Sequence, residues 1–481
     1  MSEKKEEGKG ISRRKALKYG VAAAVVVGAA AAGGYYYSTM PPTPTPTAIA
    51  TATATATSSL TGSATAGPGI DYYYDPALKG TKITFLAANV PEITQTVARI
   101  PQFEEETGIT VNAIVVGEDD VLSKAGLEFA GKSSTYDIFH ASGFGSFAYS
   151  WLFSGFIEPI EAYVEKTPKG WNKDDIFAAV LSNCSYGGTL YTLPHVTTDY
   201  PLFYRTDLMN QPAKTLDDML ADAQKFYKPP SLYGWTSAGT PDIFSFFTWD
   251  MFLWACGGRW FDENFHPLLN TDAAYNATKY MIEMAKYAPS FTTTDAVGAA
   301  TLFAQARIAQ ATCFGSNWGT TIAAAASKVA STAAYAPHPG LVSEPHMMAG
   351  ITMCINNFSK QKDAAWSFIS WATSPRAQQD MVNIGMGGTI RQSVATSPQT
   401  KQVAPFVADQ ASWLIGAGQA GSGAPKVANA ILAPMPRVGD FNAIVVKNLA
   451  NAIVGTVPYK QAMDNAQQQA TSLMKEIGIY K

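Results

Sequence analysis

Apolar and polar positions follow two periods along the chain from residue 80 onward. Lys82-Ile83-Thr84-Phe85-Leu86 is the short apolar run of a buried strand, and Ile93 to Thr107 spaces its apolar residues along one helix face closed by Gly108. Ile109 to Val116 is a second strand-like run, rich in β-branched residues. Val121 to Gly131 reads as a second helix, and Tyr136-Asp137-Ile138-Phe139-His140 as a third strand closing at Ala141-Ser142-Gly143. Repeated strand, helix, strand units predict an α/β fold with a parallel sheet covered by helices. Upstream the pattern changes character. Gly20 to Gly34 holds only Gly, Ala and Val, has no polar face, and is shorter than the ~20 residues of a usual membrane span. It follows Ser12-Arg13-Arg14-Lys15-Ala16-Leu17-Lys18 and precedes Tyr35-Tyr36-Tyr37, so residues 1–40 read as an export signal or membrane anchor. Residues 41–79 open with Pro41-Pro42-Thr43-Pro44 and run through Thr-Ala repeats to Gly67-Pro68-Gly69. With almost nothing to bury, they read as a Thr/Pro/Ala-rich stalk, either O-glycosylated or a bare linker.

Composition narrows the function. The 481 residues suggest two or three domains, and 47% apolar against 15% charged residues excludes disorder of the whole chain. The net charge of −3 offers no bulk attraction for phosphate backbones, which excludes nucleic acid as an expected partner. Cys184, Cys256, Cys313 and Cys354 form no CxxC pair, so no metal or redox centre is expected. Cys313 with Cys354 is the candidate disulfide, with buried free thiols the alternative. The sequons at Asn183, Asn276 and Asn357 fit an exported chain. HExxH, a P-loop and GxSxG in a strand-turn-helix setting are all missing, and no cofactor is expected. Sequence spacing leaves Asp250 with Asp262 or Glu263 open as a two-carboxylate hydrolytic pair, so an exported glycosidase is one rival. A structural surface protein is another, but it would be supported by internal repeats, which do not appear.

Several segments occur in a telling order: Phe103-Glu104-Glu105-Glu106-Thr107-Gly108-Ile109-Thr110-Val111, Tyr136-Asp137-Ile138, Gly155-Phe156-Ile157-Glu158-Pro159-Ile160, Leu190-Tyr191-Thr192-Leu193-Pro194, and Leu202 to Leu208. Trp254-Ala255-Cys256-Gly257-Gly258-Arg259-Trp260-Phe261-Asp262, Ala306 to Gln310, and Gly315-Ser316-Asn317-Trp318 follow. Over about four fifths of its length the chain resembles the family 1 extracellular solute-binding proteins, the group containing maltose-binding protein. The arginine pair resembles a twin-arginine signal, with Ala16 where Phe is usual. The resemblance implies a two-lobed periplasmic-binding-protein-like fold, each lobe a mainly parallel sheet flanked by helices, joined by a hinge. Residues 80–205 and 316–374 would form the N-terminal lobe and 206–315 and 375–481 the C-terminal lobe, with crossings near 203–207, 312–316 and 372–376. It also implies a monomer outside the cell, which closes on a solute and presents it to ABC transporter permease subunits, while the stalk after an apolar segment favours tethering to the outer face of the cytoplasmic membrane. No catalysis is implied.

Site residues follow from the same alignment of motifs. Asn89 and Glu92 occupy the loop after the first strand. Ser142 and Gly143 occupy a strand-end loop where many relatives carry an Asp that is missing here. Asp199, beside His195, Thr197, Thr198 and Tyr200, is the candidate replacement, with a turn role as its alternative. Glu118, Asp119 and Asp120 offer a cleft carboxylate or a helix cap. Six aromatics lie between Phe244 and Trp254, a helix opening after Thr240-Pro241-Asp242, and of these Trp249 and Trp254 lie on different faces, with at most one expected in the cleft. Ser316, Asn317 and Trp318 form the return turn, with hinge packing as the alternative for Trp318. Gly387 and the following Arg391 form a second-lobe loop in which Arg391 either meets ligand or braces the lobe. The aromatics and the missing basic cluster favour a sugar or oligosaccharide, while polyols and small peptides use similar groups.

Overall fold

The computed structural model describes residues 70–142, 146–347, 349–420 and 435–479. The expected export segment, the stalk up to residue 69, and Gly143 lie outside them. The strands are β1 (Lys82–Ala88), β2 (Thr110–Val116), β3 (Ile138–Ser142), the short hairpin β4 (Ser185–Tyr186) and β5 (Thr189–Leu190), β6 (Leu193–Thr198), β7 (Leu202–Arg205), β8 (Tyr233–Thr236), β9 (Ile308–Thr312), β10 (Ala333–Ala336) and β11 (Ala349–Ile355). The first sheet has the order β2-β1-β3-β11-β6 and the second β10-β7-β9-β8. In the first, β1 runs parallel to β2 and β3, and only β11 is reversed against its neighbours. In the second, β7 runs against both β9 and β10, while β8 is parallel to β9. Each sheet is therefore mainly parallel with one reversed strand, and that strand is the first to enter after the chain has crossed over.

The strands move the expected lobe boundaries. β6 ends in the first sheet at Thr198 and β7 starts in the second at Leu202, so the first passage is 199–201 rather than 203–207. Leu202 and Phe203 are fully buried and pair with Thr312 and Ala311 of β9, which fixes them in lobe 2. β10 also belongs to the second sheet, so the return lies between Ala336 and Ala349 rather than at 312–316. Residues beyond 375 stay against lobe 1 as far as Arg391. Met381 and Met386 pack with Val196 of β6, and Arg391 bonds the Thr373, Trp171 and Asn172 carbonyls.

Two further expectations change. The helix expected over 93–107 is two helices, Pro91–Ala98 and Ile100–Thr107, because Pro101 lacks the N–H needed inside a helix and is tolerated only in a first turn. Residues 70–79 are not stalk. Tyr72 is fully buried and its Oη donates to Glu106 Oε2 at 2.9 Å, while Tyr74 Oη donates to the Thr107 carbonyl at 3.0 Å. Tyr73 is held on the helix Lys362–Ala372, its Oη donating to Asp363 at 3.1 Å and its carbonyl accepting from Ser367 Oγ at 2.8 Å. Aromatic rings give this stretch the apolar surface that the Thr/Pro/Ala tract before it lacks.

All four cysteines are buried free thiols. The Cys313–Cys354 pairing fails because Cys354 lies in β11 of the first sheet and Cys313 follows β9 of the second. At the Asn183 sequon the side chain is buried, donating from Nδ2 to the Ala179 carbonyl. An apolar cluster runs continuously from the first sheet to helices Ile243–Ala255, Asp272–Ala285, Val438–Ile453 and Tyr459–Glu476, so the lobes are in contact. Among the described residues no helix is long and apolar enough to cross a membrane.

Candidate functional site

Ligands of open α/β sheets gather at the carboxyl ends of parallel strands, where loops and helix starts leave polar groups free. Here those ends are the loops after β1, β6 and β9. β1 passes through exposed Asn89, whose N–H bonds the Val116 carbonyl at 2.8 Å, into the helix Pro91–Ala98, with Glu92 in its first turn. Ser316, from the segment after β9, lies near enough to the Glu92 carboxyl to favour its ionised form, so lobe 1 and lobe 2 approach each other at this pair. Burial raises the Glu92 pKa above the usual carboxylate value, even though Ser316 and its own backbone N–H favour the ionised form. The side chain nevertheless keeps partial exposure. One helical turn on, Gln95 holds a buried amide oxygen without a hydrogen-bond partner. Such an atom is costly unless a ligand or water meets it. The His195 ring lies against the Glu92 backbone, and burial pushes its pKa down to about 4, so it is neutral near pH 7.

The aromatic side of the site differs from expectation. Phe314 is half-buried and makes edge contacts with Tyr200 at 4.9 Å, Phe244 at 5.9 Å and Phe247 at 6.1 Å between ring centroids. Tyr200 is fully buried, with its Oη shared between Ser237 at 3.1 Å and Thr248 at 3.2 Å. The helix Ile243–Ala255 is capped by Asp242, which accepts from Phe244 N at 2.8 Å. Trp249 is enclosed in the core, donating from Nε1 to Thr278 at 3.0 Å, and Trp254 is buried beside Trp260 at 5.7 Å. Both tryptophans are packing residues, because this helix is apolar on all sides and most of it sits inside lobe 2. The partly open rings are Phe244 and Phe314.

Three backbone segments converge beside Ser316. A Cβ on Gly388 would lie 1.9 Å from the Thr197 carbonyl, and one on Gly387 would lie 2.6 Å from the Gly315 carbonyl. Gly387 thus admits another stretch of backbone rather than a ligand. Buried Gln410 ties the junction, donating to the Gly387 carbonyl at 3.1 Å and accepting from Asp199 N at 2.9 Å and Thr198 Oγ1 at 3.1 Å. Ser316 N donates to the same Thr198 hydroxyl at 2.9 Å.

The remaining candidates are engaged within the protein. Asp199 Oδ1 accepts from Tyr200 N and Met347 N, and Oδ2 lies 2.8 Å from His346 Nδ1, so its carboxylate anchors the passages between lobes. Arg391 has no exposed surface. Its guanidinium lies over the Trp171 ring at 4.6 Å and bonds three carbonyls through Nε and Nη1, leaving buried Nη2 without a partner, which makes it chiefly a brace. Trp318 packs nearly parallel to both Phe203 and Phe406, each at 5.7 Å, while those two rings lie 6.1 Å from each other, and it retains partial exposure. Asn317 turns its amide onto the Phe314 carbonyl at 3.1 Å. Ser142 closes β3, and the helix Glu118–Ala130 opens at Glu118 with Gly117 as its cap residue. Of the candidates, the structure brings Glu92 and Ser316 together, with Asn317 and Tyr200 close by. It adds Gln95, Phe314 and Gln410, which the sequence reading passed over. Gln95 was findable at i+3 from Glu92 and Phe314 beside Gly315, whereas nothing local marks Gln410.

Residues 87–379, more than half of the chain, match the family model described as bacterial extracellular solute-binding protein. A probable amino-acid ABC transporter periplasmic-binding protein of Sinorhizobium fredii is 26% identical over 346 residues, covering 68% of this chain and 76% of the relative. The mannitol-binding protein of Pseudomonas aeruginosa is 24% identical over 410 residues, 79% of this chain and 89% of the relative. A solute-binding protein of Agrobacterium radiobacter, solved with ribitol, superposes with a TM-score of 0.74 at 21% identity, covering 82% of this chain and 99% of that one. By this match over more than half of its length, the chain belongs to the bacterial extracellular solute-binding proteins.

Proposed function

We propose that this protein captures a small neutral polyhydroxylated solute, a sugar or an alditol, in the cleft between its lobes and delivers it to the permease of an ABC importer. The carrying observation is the approach of Glu92 and Ser316 between lobes, with the unpartnered Gln95 oxygen one turn away. Planar acceptors and a hydroxyl beside the partly open rings of Phe244 and Phe314 are what a chain of hydroxyls with an apolar face requires. The relatives named for mannitol and solved with ribitol support an alditol-sized ligand. A zwitterionic amino acid, suggested by the name of one relative, needs a cation for its carboxylate, and Arg391 is withdrawn into the protein. The arginine pair and apolar stretch near the N-terminus support export, and the tract before residue 70 supports a protein held at the outer face of the membrane.

Isothermal titration of the purified protein with D-mannitol, ribitol, maltose and a set of amino acids tests the reading. Saturable binding of a neutral polyol or sugar without its turnover is the expected result. Binding restricted to amino acids, or cleavage of an added sugar, would replace this reading.

A further inference from the structure

We infer that His346 and Asp199 form a proton-controlled clamp between the two passages that join the lobes, and that loss of the proton from His346 lets the lobes separate further. Asp199 belongs to the first passage, 199–201, and His346 to the second, between Ala336 and Ala349. Asp199 Oδ2 lies 2.8 Å from His346 Nδ1, and Glu344 Oε1 lies 3.0 Å from His346 Nε2. Asp199 Oδ1 also accepts from Met347 N at 2.8 Å, so one buried carboxylate of the first passage holds two consecutive residues of the second.

A neutral imidazole donates from one nitrogen only, and the other then offers a lone pair. With a carboxylate on each side, a neutral His346 would set a lone pair against a carboxylate, whereas the imidazolium satisfies both. Hinge opening requires both passages to change direction, and a tie between them resists that change. Among the described residues the titratable groups facing His346 are Asp199, Glu344 and His338. His338 is buried, with Nδ1 3.0 Å from the Pro339 carbonyl, and its pKa is pushed down to about 4, so it stays neutral. Burial opposes the charge on His346, but the two carboxylates outweigh it and raise the pKa above the ordinary 6.5. Because the folded-state value is raised, the clamp is complete below 6.5 and is lost as pH rises through the folded-state pKa.

The experiment needs no solute, so its failure is separate from failure of the binding assignment. Leu127→Cys and Val297→Cys, both at exposed positions on helices of opposite lobes, carry spin labels in the full chain, and the buried native thiols stay unlabelled. Pulsed electron paramagnetic resonance then follows the label distance from about pH 5.5 to about pH 9, the range in which a perturbed histidine titrates. The expected result is a shift to longer distances with a midpoint above 6.5, and no such step with His346→Gln. If His346→Gln fails to fold by circular dichroism, Glu344→Gln serves instead and should move the midpoint to lower pH. A distance distribution independent of pH would overturn the inference. So would a step that persists unchanged in His346→Gln or is unmoved in Glu344→Gln.

Discussion

A guanidinium with no exposed surface must find its hydrogen bonds inside the protein, and Arg391 finds three of them, through Nε and Nη1, on the carbonyls of Thr373, Trp171 and Asn172. Replacing it with Met strands three buried acceptors together. Arg391→Met should therefore destabilise the fold by about 3 kcal/mol or more in urea unfolding, while solute affinity of the folded protein stays nearly unchanged. Glu92→Gln is the opposite case. It keeps the shape and replaces an acidic group by an amide with one fewer acceptor oxygen, so titration calorimetry should show roughly tenfold weaker solute binding and little change in melting temperature. Trp318→Ala leaves a cavity beside the paired rings of Phe203 and Phe406, and a loss of about 3 kcal/mol in stability should exceed any loss in binding. The place of Glu92, in the first helical turn after the first strand, was legible from the order of motifs. Arg391 was legible only as one of two roles, since charged residues are rarely enclosed completely and a sequence says nothing of its distant partners.

Among the elements, β1, β2 and β3 were legible because apolar runs bounded by glycines read the same in sequence and in space. The helix Ile243–Ala255 was recognised as a helix but not for its orientation. Apolar residues surround it, so periodicity carries no direction, and Trp249 and Trp254 were singled out where Phe244 is the more open ring. The glycine loop was likewise recognised but its neighbour was not, because that neighbour is Thr197, nearly two hundred residues earlier in the chain. Gly388→Ala places a methyl group 1.9 Å from the Thr197 carbonyl and should lower the melting temperature by several degrees, about the shift expected for 1 to 3 kcal/mol of overpacking. Gly439→Ala, in the helix Val438–Ile453 where a Cβ meets nothing within 4 Å, should leave it unchanged or slightly higher. Differential scanning fluorimetry of the two variants side by side checks both.

For the whole molecule, burial decides how stability follows pH. His140, His195 and His338 are enclosed, and burial pushes their pKa values down to about 3, about 4 and about 4. Unfolding returns each to about 6.5, so between pH 6.5 and roughly 4 the unfolded chain binds more protons and stability must fall as pH falls. Thermal unfolding followed across that range should show a steep loss, and His338→Asn should make it shallower. The overall architecture was legible because many weak motifs occur in one order, whereas the lobe boundaries were not. β7 and β10 are four-residue strands whose allegiance is set by pairing with β9 and with each other, not by their own residues. One pairing also governs when this protein can fold. β11 lies between β3 and β6, so the interior of the first sheet is filled by Ala349–Ile355, which leave the ribosome more than two hundred residues after β3. Until then β3 and β6 each present an unpaired edge, and a chain stopped short of residue 349 would keep both open to pairing with other chains. Lobe 1 is first in sequence and among the last parts completed, so the nascent protein depends on staying unassembled and soluble until nearly three quarters of it has been made.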